Sequence, residues 1–72
     1  MDREKVKELI DLEKLYYTSH DYSLVKMLCD MEKELFGDDS DWVSDILCGI
    51  TCRDKNTDYE IYFKVLEVLG YE

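Results

Sequence analysis

Cys48 and Cys52 are four residues apart, a spacing that would place both thiols on one face of a helix. Two thiolates could provide half of a zinc site, but zinc needs four ligands, usually from cysteine and histidine. Cys29 and His20 are the remaining candidates, and their positions fit no recognisable ligand spacing. The sequence therefore predicts no metal site and no cofactor. It favours small, buried, reduced cysteines instead.

The other residues that could carry chemistry form no catalytic pattern. His20 lies between Ser19 and Asp21 without a nucleophile, so we expect a polar turn residue between two helices rather than a general base. A calcium loop of the EF-hand type starting at Asp39 would need a glutamate where Ile50 stands. No phosphate-binding loop, nucleophile elbow or dinucleotide fingerprint is present. We therefore expect a protein without enzymatic activity.

The charge balance predicts the kind of partner. Eighteen acidic residues oppose nine basic ones, which gives a net charge of −9. Such a chain is repelled by nucleic acids and anionic membranes, so we predict neither as a direct partner. A basic protein is the partner that electrostatics favours. No signal peptide follows Met1 and no apolar run approaches the ~20 residues of a membrane span, which predicts a cytoplasmic protein.

The acids are concentrated in one segment. Between positions 30 and 45 there are seven acids and a single base, Lys33, a net charge of −6 in sixteen residues. Acids four residues apart on a helix have Cβ atoms about 5–6 Å apart, so they could imitate a row of DNA phosphates. The alternative is a solvated face that only keeps the protein soluble. The predicted contact residues are Asp30, Glu32, Glu34, Asp38, Asp39, Asp41 and Asp45.

Small size and this concentrated negative charge resemble the DNA-mimic inhibitor proteins of bacteriophages. The resemblance covers no alignable motif, and no residue is carried over by position, because such mimics share no common fold. It implies a host-takeover inhibitor in the bacterial cytoplasm. Such an inhibitor occupies the nucleic-acid groove of a basic protein, for example a histone-like nucleoid protein, a nuclease or a polymerase component. The alternative is a small helical adaptor or regulatory subunit that binds through apolar and aromatic contacts.

The elements that would position these residues are helices. Apolar residues at three- and four-residue spacing predict an all-α fold: a single domain, residues 1–72, built as a bundle of about four short helices. The first helix spans about 2–17, the second ends at Gly37, and the third begins around Asp39 or Ser40. Residues 51–56 are polar and are expected to form a loop. A capping-box pattern at Thr57 and a stop at Gly70 bound the last helix.

The last helix is apolar around most of its circumference. Its alternating apolar residues would also fit a strand, but its length and its two caps favour a helix. A helix of this kind lies at the centre of the core or at a subunit interface, so we predict a homodimer. The expected core or dimer anchors are Trp42, Tyr59, Tyr62, Phe63, Leu66 and Leu69.

Overall fold

The chain folds into helices and turns throughout residues 2–71, the part that a computed structural model describes, and this part contains no strand. The all-α prediction is therefore confirmed. Helix α1, Arg3–Ser19, begins after Asp2, whose carboxylate accepts a hydrogen bond from the backbone N–H of Glu4 at 3.1 Å. It ends at His20, whose φ of 55° is the left-handed conformation that closes a helix. No helix among these residues combines the length and the apolar character needed to cross a membrane.

Helices α2, Leu24–Phe36, and α3, Ser40–Arg53, are joined by the short 3-10 turn Gly37–Asp39. Gly37 adopts φ 60° and ψ −131°, a conformation that a residue with a Cβ rarely adopts, so the predicted stop is confirmed. The loop predicted over residues 51–56 is wrong in its first half, because α3 continues through residue 53. Thr51 explains the difference, since its side chain is fully buried and bonds inside the core.

The N-cap of helix α4, Tyr59–Val68, lies one residue later than predicted. The carboxylate of Asp58 accepts a hydrogen bond from the backbone N–H of Glu60 at 3.2 Å. The predicted cap, Thr57, is buried instead, and its hydroxyl donates to the backbone carbonyl of Asp54 at 2.7 Å. The capping-box prediction was therefore wrong, because Asp58 and not Thr57 caps the helix. The choice of helix over strand is confirmed.

The end of α4 agrees with the sequence prediction. Gly70 has φ 93°, which favours glycine, and the backbone N–H of Tyr71 donates back to the carbonyl of Leu66 at 2.8 Å. This closure returns Tyr71 over the core, where its ring packs edge-on against Phe36 with 5.3 Å between the ring centres. The last turn therefore joins the end of α4 to the end of α2.

The core lies where α1, α2, α3 and α4 face one another. Fully burying one large aliphatic or aromatic side chain stabilises a fold by about 1.5–3 kcal/mol, so this set supplies most of the driving force. The buried apolar residues are Val6, Leu9, Ile10, Leu28, Phe36, Val43, Leu47, Tyr62, Phe63 and Leu66.

Polar contacts attach α4 to α1. The ammonium of Lys14 donates to the backbone carbonyl of Thr57 at 3.1 Å and lies 4.9 Å from the centre of the Tyr59 ring. Three turns earlier on α1, the Arg3 guanidinium lies 4.5 Å from the centre of the Phe63 ring. Cations over aromatic faces add to the apolar packing at this seam.

Candidate functional site

Two of the seven predicted contact acids are engaged within the molecule. Glu34 forms an ion pair with Lys5 across the α1–α2 seam. Asp39 accepts hydrogen bonds from the Tyr71 hydroxyl at 2.7 Å and from the Trp42 indole N–H at 3.1 Å. These two bonds, that from Tyr71 first, hold the pKa of Asp39 below its usual range. Asp39 therefore helps to hold the end of the chain and is less available to a partner.

Four of the predicted acids are exposed, and three of them form no ion pair with a described residue. Asp38, Asp41 and Asp45 have no lysine or arginine within ion-pair distance among residues 2–71. Asp30 is also exposed, and the ammonium of Lys26 lies 3.9 Å from its carboxylate, at the limit of an ion pair. A surface pair of this kind contributes at most about 1 kcal/mol. These four carboxylates remain available to an approaching cation.

Glu32 connects the acids of α2 with those of α3. Its side chain is half-buried, and burial raises its pKa above the usual value. The negative charges of Asp41 and Asp45 raise that pKa further, so acids from both helices act on one another. The structure thus brings Glu32, Asp41 and Asp45 near one another, and Glu32 is the least exposed of the three.

An apolar face crosses from α3 to α4 on the outside of the molecule. Val68 is 86% exposed, and Ile61 and Ile46 are 48% and 38% exposed, values that are high for aliphatic side chains. Lys64 borders this face with its long aliphatic stem. We define the α3–α4 face as Ile46, Ile61, Val65, Val68 and Leu69.

The predicted core or dimer anchors divide between the core and the surface. Tyr62, Phe63 and Leu66 lie inside the fold, so they cannot contact a second molecule. Trp42 is 43% exposed. Tyr59 and Leu69 are partly buried against the core. The exposed apolar residues of α4, Ile61 and Val68, were not among the predicted anchors. When a helix is apolar around most of its circumference, its sequence does not indicate which face is exposed.

A fully buried carboxyl lies at the centre of the bundle. Glu13 on α1 has no exposed surface, and its Oε2 lies 3.1 Å from the hydroxyl of Thr51 on α3. That hydroxyl lies 2.9 Å from the Tyr62 hydroxyl on α4. The position of Glu13, one turn after Leu9 and Ile10 on the same apolar stripe, is the signal that could have revealed it.

Burial governs the ionisation of Glu13. It raises the pKa of this carboxyl from 4.5 to about 7, against an opposing hydrogen bond from Thr51. When ionised, Glu13 accepts from Thr51, which can in turn accept from Tyr62. When protonated, Glu13 can donate to Thr51, which then donates to the backbone carbonyl of Leu47 at 3.1 Å. The network therefore accommodates both protonation states of Glu13.

Glu32 on α2 and Cys48 on α3 approach Glu13. One carboxylate oxygen of Glu13, one of Glu32 and the sulfur of Cys48 all lie within 4.8 Å of one another. Burial, and then the nearby charge of Glu13, raises the pKa of the Cys48 thiol to about 12, so the thiol is protonated and weakly nucleophilic. These residue types can bind a divalent metal ion, because a positive charge favours the ionised form of all three.

The remaining cysteines and the histidine lie elsewhere. Cys29 and Cys52 are exposed, so the expectation of buried cysteines was wrong for them, and Cys48 is only half-buried. Each of the exposed thiols lies on the solvent side of its helix, a fact that residue type alone does not predict. His20 is exposed at the end of α1, in the turn that the sequence predicts.

No family model, no curated protein and no solved structure matches this chain.

Proposed function

We propose that the protein acts by binding a basic protein, in the manner of a DNA-mimic inhibitor that occupies a nucleic-acid groove. The observation that carries this proposal is the exposure of Asp38, Asp41 and Asp45, with no lysine or arginine of the described residues within ion-pair distance. Together with Asp30 they form what we call the acidic surface. A groove that holds phosphates would be attracted to it, and the attraction would weaken as salt screens the charges.

The test compares two variants with the same net charge. Asp38→Asn, Asp41→Asn and Asp45→Asn together remove three charges from the acidic surface. The matched control removes three exposed charges elsewhere through Glu8→Gln, Glu60→Gln and Glu67→Gln. Asp39 is left unchanged, because it accepts hydrogen bonds that hold the chain end.

Each immobilised protein is incubated with nuclease-treated bacterial lysate and washed along a salt gradient. We expect the wild type and the control to retain one basic nucleic-acid-binding protein that added DNA displaces. The acidic-surface variant should release it at lower salt. Retention of that protein by the acidic-surface variant, with the salt dependence unchanged, would contradict the proposal.

We further propose that the helical bundle forms a homodimer through the α3–α4 face. Pairing two copies would remove Ile61 and Val68 from water and would leave the acidic surface exposed on both. Light scattering on a size-exclusion column measures the mass. Val68→Lys should give a monomer, whereas Leu15→Lys, at an exposed leucine of α1, should remain a dimer. A monomeric wild type at micromolar concentration would refute the dimer.

A second candidate function rests on the same face. If the wild type is a monomer, the exposed Ile61, Val68 and Ile46 would suit an adaptor that binds its partner through apolar contacts. Salt would change the affinity little, because screening acts on charges and not on apolar burial. Val68→Lys would then abolish partner binding, while the acidic-surface variant would keep it.

A further inference from the structure

We propose that Glu13, Glu32 and Cys48 bind a Zn²⁺ ion. The three residues come from α1, α2 and α3, and their ligand atoms converge to within 4.8 Å of one another. Around a tetrahedral zinc ion, with bonds of about 2.0–2.3 Å, such atoms would lie about 3.5 Å apart, so a contraction of about 1 Å completes the site. Glu32 is half-buried at the outer edge, and its long side chain can make this adjustment.

An unsatisfied polar atom at the cluster is a further indication of a ligand. Oε1 of Glu13 is buried, and no N–H or O–H group of the described residues donates a hydrogen bond to it. The residue has no exposed surface through which bulk water could reach this oxygen. Buried polar atoms are nearly always satisfied, so this oxygen indicates a binding group, and a metal ion would satisfy it.

The donor set selects the type of ion. A thiolate with carboxylates suits Zn²⁺, whereas Ca²⁺ and Mg²⁺ require oxygen ligands throughout. Three protein ligands leave a fourth position for water, which can enter because Glu32 and Cys48 are only half-buried. On binding, the Cys48 thiol loses its proton to solvent, as does Glu13 where it is protonated, and the two positive charges of the ion offset the three negative ligands. Zinc binding thus exchanges protons for metal–ligand bonds, and it involves no oxidation or reduction.

The proposal goes beyond partner binding, because it concerns a site inside the bundle. The ligands are distant in sequence and converge only when α1, α2 and α3 are folded. Binding should therefore stabilise the fold against unfolding. The spacing of cysteine and histidine along the chain does not reveal this site, because two of its three ligands are carboxyls on other helices.

The experiment titrates reduced, chelator-treated protein with Co²⁺, which reports thiolate ligation through a charge-transfer band, and then with Zn²⁺ as a competitor. We expect one ion per chain and a higher melting temperature with Zn²⁺. Cys48→Ser should remove the band, whereas Cys52→Ser, at an exposed thiol one turn further along α3, should keep it. Glu13→Gln preserves the shape of the core but removes a ligand. Loss of a residue that only supports a ligand lowers metal affinity about 10–100-fold, so we expect Glu13→Gln to lower the affinity for zinc by at least that factor.

Several results would overturn the proposal. One is the absence of saturable binding by the wild type, and another is a band that survives Cys48→Ser but disappears in Cys52→Ser. Equal affinity in the wild type and Glu13→Gln would also overturn it. Circular dichroism of each variant separates loss of the site from loss of the fold. Because none of these readouts involves a protein partner, failure here leaves the partner-binding proposal standing, and the reverse also holds.

Discussion

Glu13 allows the sharpest test of the energetics, because burial opposes the ionisation of its carboxyl. The residue has no exposed surface, and only one of its two oxygens has a hydrogen-bond partner. Glutamine has nearly the same shape and cannot ionise near neutral pH. Glu13→Gln therefore removes the titration and leaves the packing around Leu9 and Ile10 in place.

The magnitude follows from the raised pKa. Burial moves the pKa of Glu13 from 4.5 to about 7, so the folded state holds the proton more tightly than the unfolded chain. This preference stabilises the fold fully below pH 4.5, and the stabilisation is lost as the pH rises through about 7. A tenfold change in proton affinity corresponds to about 1.4 kcal/mol, so the wild type should lose about 3 kcal/mol between pH 4.5 and pH 8. Glu13→Gln should not show this loss.

The assay is urea unfolding followed by far-ultraviolet circular dichroism, in the presence of a chelator, from pH 4.5 to pH 8. Repulsion within a chain of net charge −9 also weakens the fold as the pH rises, so the informative quantity is the difference between variant and wild type. Glu8→Gln is the control, since Glu8 is exposed on the same helix and its loss changes the charge equally. Parallel pH curves for the wild type and Glu13→Gln would refute the reasoning.

Three further predictions concern the fold and are checked by urea unfolding at pH 7. Leu47→Ala empties a fully buried position of α3 and should cost about 2–5 kcal/mol. Gly37→Ala should cost about 1–3 kcal/mol from its positive φ, whereas Gly49→Ala, inside α3 with open space around it, should stabilise by about 0.5–1 kcal/mol. Tyr62→Phe removes a partner of the Thr51 hydroxyl and should cost about 1 kcal/mol.

The sequence predicts the all-α class because the spacing of apolar residues determines which faces must be buried. Val6, Leu9 and Ile10 are buried as the pattern of α1 requires, and Gly37 and Gly70 end helices because each has a positive φ. These features depend on neighbours within a turn or two. Local rules of this kind can be applied to a single sequence.

The residues that were misjudged depend on distant neighbours. Thr51 belongs to a polar stretch, but it is helical and buried because Glu13, thirty-eight residues earlier, lies beside it. Glu32 belongs to an acidic run, but it is half-covered at the junction of two helices. Asp39 was expected to contact a partner, but Trp42 and Tyr71 donate hydrogen bonds to it. No local pattern encodes these pairings, because each arises from how the helices pack.

Glu32 belongs to both the acidic segment and the proposed zinc site, so the two proposals must be compatible at this residue. At pH 7 the Cys48 thiol is protonated and Glu13 is about half-ionised, so zinc binding releases about one and a half protons from these two ligands. Because the ion adds two positive charges, the net change from the ion and these two ligands is only about half a charge in a chain of net charge −9. Zinc should therefore fix α2 against α3 while leaving the attraction of the acidic surface for a basic partner almost unchanged. By linkage, the partner should likewise change the affinity for zinc very little.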